Sequence, residues 1–360
     1  MCFARKKRLR RGDVPNGLKF IFLERKLNVC YKKNKCKKII DFFLGARRRQ
    51  SLMNDPQRTR SDLLSTEDHA AVFEEIRYVI SLMDPMYDFL TFASVQADVI
   101  RLFQGDFPGY RACNTRYHDL EHTMAVTLAV VRLLHGAFVR GISFSSHELT
   151  LGVICAFFHD AGLIQTENDL EGSGAKYTAN HEERSIDFMR GYFAAKNFSR
   201  QDLDDCAAII TSTKLSVVPA DIEFRNESIR MLGNILGSAD LLAQMADRKY
   251  LEKLLLLFQE FNEAGLPGFN SELELLRKTE DFYERVVQKR LCHDFNDIGR
   301  YMRDHFRTRW QIDTDLYRES VQRNIQYLQT VIAECKDHRQ CGQYLETLRR
   351  NHMSGKSNCR

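Results

Sequence analysis

From about Ser65 to residue 330 the apolar residues recur at helical spacing almost without interruption, and no stretch alternates as a half-buried strand does. Glycine and proline are scarce, 19 and 6 in 360 residues, which leaves too few turn-formers for a sandwich or barrel of many short strands. The pattern predicts an all-α chain. No self-similarity at 20–50 residues divides it, and no linker rich in Gly, Ser or Pro breaks it. Ten or so helices are therefore expected to share one core, as a compact multi-helix bundle over residues 65–330.

Several helix starts are written in the sequence. Ser65-Thr66-Glu67-Asp68 opens one segment. Ser145 with Glu148, Asn180 before His181-Glu182-Glu183, and Ser199 with Asp202 read as further N-terminal caps. Gly136, Gly162 and Gly191 fall where helix ends are expected. The longest nearly apolar run, Leu149 to Phe158, is about half the roughly 20 residues a membrane-crossing helix needs, so no transmembrane segment is expected.

Charge divides the chain. Residues 1–60 hold 19 Lys/Arg against 4 Asp/Glu, a net +15, whereas the remainder carries a net −10. Such a basic arm reads equally as a targeting segment, as a contact for an anionic partner such as nucleic acid or membrane, or as a stretch absent from a protein whose translation starts at Met53. A polar tail, 331–360, closes the chain. The ten cysteines include no CxxC pair, which argues against a zinc ribbon or thioredoxin-type site and for reduced thiols in a cytoplasmic protein. In the tail, Cys335 and Cys341 with His338 offer a weak zinc possibility.

Three places carry chemistry. In Tyr117-His118-Asp119-Leu120-Glu121-His122, the two histidines lie four apart and share a face if the segment after Asn114 is helical. The apolar run Leu149–Phe158 feeds directly into His159-Asp160, where a carboxylate would be both desolvated and set against the negative end of a helix dipole. Asp240 stands alone within the apolar run from Leu232 to Ala243, and buried acids are rare unless paired or coordinating. Taken together, His122, His159, Asp160 and Asp240 make two imidazoles and two carboxylates. That donor set suits a divalent ion with open positions, of the Mn, Fe, Zn or Ni kind, with Mg possible at a neighbouring oxygen-rich position bridged by Asp160. A bound water deprotonated there is the nucleophile of hydrolytic metal sites. The remaining histidines, among them His135 and His305, have no partner at ligand spacing. Leu254 to Leu257 with Phe258 and Phe261 read as a core stripe.

The order His122, then His159-Asp160, then Asp240 resembles the H…HD…D order of the HD superfamily of metal-dependent phosphohydrolases. Over roughly residues 75 to 265 the likeness extends to the catalytic domain of the cyclic-nucleotide phosphodiesterases. Tyr117 to His122 is similar to that family's YHNxxH, Phe158-His159-Asp160 to its HD element, and Asn180-His181-Glu182 to its later histidine-bearing helix. Ile210-Thr211-Ser212 and Ser238-Ala239-Asp240-Leu241 resemble the segments at its last metal ligand. The resemblance implies His122, His159, Asp160 and Asp240 as metal ligands and His118 as the general acid. His181 would lie beside the ligands or on a second metal, and Tyr117 and Phe282 against the substrate. It implies hydrolysis of a small phosphorylated substrate, a nucleotide phosphodiester, by metal-bound hydroxide. Two alternatives stand beside it: a nucleotide phosphomonoesterase of the HD type, and a degenerate HD fold acting as a binding module. The sequence departs from the pattern at Asp119, where the family has Asn, and after Asp160, where Ala161-Gly162-Leu163 replaces further polar residues. The family's purine-recognising Gln has no clear counterpart.

Overall fold

The computed structural model describes residues 63–335, together with Glu346 and Thr347. The basic arm and most of the polar tail, with His338 and Cys341, lie outside the described residues. Eleven α-helices follow one another: α1 (His69–Met83), α2 (Phe89–Gln104), α3 (Leu120–Val139), α4 (Ser146–Phe158), α5 (His181–Lys196), α6 (Arg200–Thr211), α7 (Glu227–Met245), α8 (Tyr250–Glu263), α9 (Glu272–Phe282), α10 (Tyr301–Trp310) and α11 (Leu316–Glu334). The only β pairing among the described residues is one antiparallel bridge, Tyr110 to Thr166. The all-α expectation is met, and the last helix runs on past residue 330 because Val331 still packs into the core.

Local chemistry sets most of the helix starts. Asp68 caps α1 by accepting from the Ala71 N–H, and Ser145 and Ser199 form reciprocal capping boxes with Glu148 and Asp202. Asn180 precedes α5 as expected but makes no side-chain cap. Of the three glycines expected at helix ends, Gly136 and Gly191 lie inside α3 and α5. At Gly136 the reason is contact: a Cβ there would sit 1.9 Å from the Tyr301 carbonyl oxygen, where α10 crosses α3.

Helix α3 is the axis of the fold, packing against α1, α4, α7 and α10. It is also long and apolar enough to cross a membrane by length and composition, but 83% of that window is buried among the other helices. The sequence hid this span because Thr127, Arg132 and His135 interrupt its apolar run. Arg132 is buried there with both terminal nitrogens engaged: it donates to the Tyr317 hydroxyl (3.0 Å) and the Leu63 carbonyl (2.6 Å) and lies over the Phe306 ring. Helix α4 is buried from Leu151 to Phe158. Each large side chain so buried contributes about 1.5–3 kcal/mol, enough to hold rigid the turn that follows. Cys113, Cys155, Cys206 and Cys292 are free thiols, but Cys335 is disulfide-bonded, which corrects the expectation of reduced thiols at that position. Sequence spacing alone cannot show which cysteines pair.

Candidate metal centre

His122 enters the site on the first turn of α3. That helix begins one residue after Asp119, whose carboxylate caps it by accepting from the His122 N–H at 3.0 Å. His118 therefore precedes the helix, and the expected i, i+4 pair on one helical face is not formed. An Asp at the cap position stops the helix from extending backwards. The two rings still meet, edge to face with centroids 5.6 Å apart, because the chain turns sharply at Asp119.

His159 is the C-cap of α4, and Asp160 follows in the turn that leads into a short 3-10 segment, Ala161–Leu163. Both residues are almost fully buried. The His159 Nδ1–H donates to the Ala156 carbonyl (2.9 Å), which leaves Nε2 as the free ring nitrogen. Helix α5 is clamped onto this turn by Ser185, whose hydroxyl donates to the His159 carbonyl and accepts from the Gly162 N–H. The approach requires glycine at 162, since a Cβ would lie 2.0 Å from the His181 carbonyl oxygen. Gly162 thus serves contact rather than ending a helix. The clamp brings His181 to the cluster, with its Nδ1–H on the Thr178 carbonyl (2.8 Å) and Nε2 3.4 Å from Asp160 Oδ1.

Asp240 completes the set from α7. His122 Nε2 lies 3.4 Å from Asp160 Oδ2 and 3.3 Å from Asp240 Oδ1, and His159 Nε2 lies 3.1 Å and 3.8 Å from the same two oxygens. The four side chains named from the sequence converge, with His181 at their edge. His122, His159 and Asp160 offer ligand atoms all within 4.8 Å of one another, a buried cluster able to hold a metal ion.

A cation fits the electrostatics of this cluster. His159 Nε2 and Asp160 Oδ2 are buried 3.1 Å apart and, among the described residues, meet nothing outside the cluster itself. Burial opposes charge on His122, but the Asp160 and Asp240 carboxylates outweigh it and push its pKa up to about 10. The Asp160 carboxyl is likewise held well below its usual range: burial would raise it, and the neighbouring His159 and His122 overcome that. Without an ion the side chains balance their charges with protons, and a divalent ion does the same work through the same nitrogen and oxygen atoms.

The cluster forms the floor of a cavity of about 500 Å³, into which Tyr117, His118, His181 and Phe282 also project. Four further residues were not singled out from the sequence. Glu260, hidden in the supposed core stripe of α8, accepts from His118 Nδ1 (2.6 Å) and, through its other oxygen, from the Arg116 and Tyr117 N–H groups. A lone acid beside Phe261 in an otherwise apolar stripe was the available signal. Gln244 lies one turn beyond Asp240, and Tyr250 is buried, which pushes its phenol pKa up; both line the cavity. Glu182 lies beside His181 with Oε2 orphaned, and burial pushes its carboxyl up. Leu254, Leu257 and Phe261 turn out to wall the cavity as well as the core. Two histidines read as partnerless do meet: His135 and His305 bring their Nδ1 atoms to 3.2 Å, across 170 residues of sequence that spacing cannot bridge.

Comparison with known proteins adds one similarity. A family model described as Npun_R2479-like matches residues 167–296, a stretch that holds His181, Asp240 and Glu260 but not His118, His122, His159 or Asp160. No curated protein matches the chain.

Proposed function

We propose that this chain is a metal-dependent phosphoester hydrolase of the HD type, resembling the catalytic domain of the phosphodiesterases. The observation that carries the reading is a buried convergence: His159 Nε2 and Asp160 Oδ2 meet only other members of the ordered set His122, His159, Asp160 and Asp240. Those four residues would hold the ion, of the Mn, Fe, Zn or Ni kind, and His181 with the second oxygen of Asp160 faces the place for another, where Mg is possible. A divalent ion bound there supplies Lewis acidity, polarising a phosphoryl oxygen and letting water lose a proton near neutral pH.

The chain's own residues supply the rest. His118 has its Nδ1–H fixed on Glu260, which leaves Nε2 as the nitrogen that can deliver a proton to a leaving oxygen. Burial disfavours the imidazolium, but the Glu260 carboxylate more than offsets this and raises the pKa of His118. An acid kept charged inside a cavity is what leaving-group protonation needs. Asp119, where the resembling family has Asn, caps α3 here by accepting from the His122 N–H, a role open to either side chain.

The test separates metal from acid. Purified Asp160→Ala should lose both bound metal, by elemental analysis, and turnover of a model phosphodiester. His118→Ala should keep its metal while turnover falls on the order of 100-fold or more. An Asp160→Ala protein with undiminished metal would sink the ligand assignment. Metal-loaded wild type inert toward phosphodiesters and phosphomonoesters alike would favour the non-catalytic reading.

A further inference from the structure

The cavity is not uniform around its metal floor. Beside the clustered side chains its lining is polar along one side, where Gln244 and Tyr250 follow Asp240 along α7 and into α8, and at Thr213, Lys214 and Ser216 after α6. The far wall, built by α8, α9 and the loop between them, is apolar: Leu254, Leu257, Phe261, Phe269, Leu275 and Phe282 face the same space. The two polar residues on that side are already engaged. Lys278 donates to the Gly268 carbonyl (2.8 Å) and to Glu274 (2.6 Å), and the Thr279 hydroxyl donates to the Leu275 carbonyl (2.8 Å).

We propose that the substrate is a phosphoester carrying a hydrocarbon group, alkyl or aryl, which lies along the α8–α9 wall while its phosphoryl group sits on the floor. The head-group half of this statement rests on the hydrolase reading above; the apolar half rests on the wall. A planar base laid on that wall would leave each polar edge group without a partner, and each such group costs roughly 5- to 150-fold in affinity. A hydrocarbon group loses nothing there and gains from every methylene it buries. The inference therefore departs from the nucleotide that the sequence resemblance implies.

The experiment uses the full chain loaded with manganese and a homologous series of p-nitrophenyl alkyl phosphates, from ethyl through butyl to hexyl. Each buried methylene is worth about fourfold, so kcat/KM should rise by up to about 250-fold over the four methylenes added from ethyl to hexyl. The hexyl ester should also exceed thymidine 5′-(p-nitrophenyl phosphate). In Leu257→Gln, checked for an unchanged circular dichroism spectrum and melt, the rise relative to its own ethyl ester should flatten. A second readout needs no turnover: calorimetric binding of ethyl-, butyl- and hexylphosphonate should tighten along the series. A flat series in both readouts, or a nucleoside ester faster than the hexyl ester, overturns the inference and leaves the hydrolase reading standing. Tightening phosphonate binding with no ester hydrolysed keeps the apolar half, a site for a hydrocarbon-bearing phosphoryl ligand, and overturns the hydrolase reading with the half that rests on it.

Discussion

The Glu260 carboxylate lies 2.6 Å from His118 Nδ1, although 142 residues separate the two in sequence. Its other oxygen is held by two backbone N–H groups, so the carboxylate cannot easily turn away from the ring. Glu260 therefore positions His118 and raises its pKa, while the His122 and His181 rings lie 5.6 and 6.1 Å from the His118 ring, centroid to centroid.

Removing that charge should move a pH profile in a definite direction. If protonated His118 is the acid, activity falls as pH rises through its pKa, and that pKa is raised in the wild type chiefly by Glu260 working against burial. In Glu260→Gln the pKa drops, so the alkaline limb of kcat/KM should shift to lower pH, with a loss on the order of 100-fold at mildly alkaline pH. His118→Ala should abolish that limb. An unshifted limb in Glu260→Gln would assign it to another group.

Metal loading should release protons. With its folded pKa near 10, His122 is protonated at pH 8, yet an imidazole ligand must be neutral. Titration of Mn or Zn in buffers of different ionisation enthalpy should report about one proton released per ion at that pH. Affinity should weaken steadily as the pH is lowered, because protons and the ion compete for the same nitrogen. At a hundredfold excess over Kd the ion should stabilise the fold by about 2.7 kcal/mol, lost on chelation. Proton-neutral binding would mean that the ion sits elsewhere.

Gly162 offers a test remote from any ligand atom. A methyl group at this position would meet the His181 carbonyl at 2.0 Å and the Arg184 Cβ at 2.7 Å, so α5 must move off the His159–Asp160 turn. Gly162→Ala should cost about 1–3 kcal/mol, the usual range for overpacking. Since His181 rides on α5 and the Ser185 clamp binds His159, metal affinity should fall with stability. Gly191→Ala, whose added methyl meets nothing within 4 Å, is the control and should leave both unchanged or improved.

Three of the four clustered side chains were legible in sequence because they broke a rule of burial: an acid and a histidine ending an apolar helix, and a lone acid inside another. His122 was reached through its spacing from His118, by way of a helical pairing that does not form. Capping boxes at Ser145 and Ser199 were legible because they are local. What escaped was produced by contact between distant segments. Glu260 looked like an interruption in a core stripe until the loop before α3 folded onto it. Gly136 and Gly162 looked like helix ends, although each admits a backbone carbonyl from elsewhere. The break before α3 was misread for a subtler reason, since a helix running through Asp119 and the observed cap at Asp119 place His118 and His122 at similar separations.

The His135–His305 pair predicts how the fold itself responds to acid. The two rings meet edge to face with centroids 5.0 Å apart, both buried, one on α3 and the other on α10. Burial, reinforced by Arg309, pushes the pKa of His135 down to about 4; burial with Arg132, His135 and Arg309 lowers that of His305 well below its ordinary value. The unfolded chain protonates near pH 6.5, so between about 6.5 and 4 it binds more protons than the folded one. Stability is therefore full above pH 6.5 and is lost as the pH falls through that window, by at most about 3 kcal/mol for His135 alone. In His135→Gln the amide can still meet His305 but does not titrate, so the difference in melting temperature between pH 7 and pH 4.5 should shrink. Equal pH dependence in variant and wild type would show that carboxylates elsewhere, and not this pair, set the acid limit of the fold.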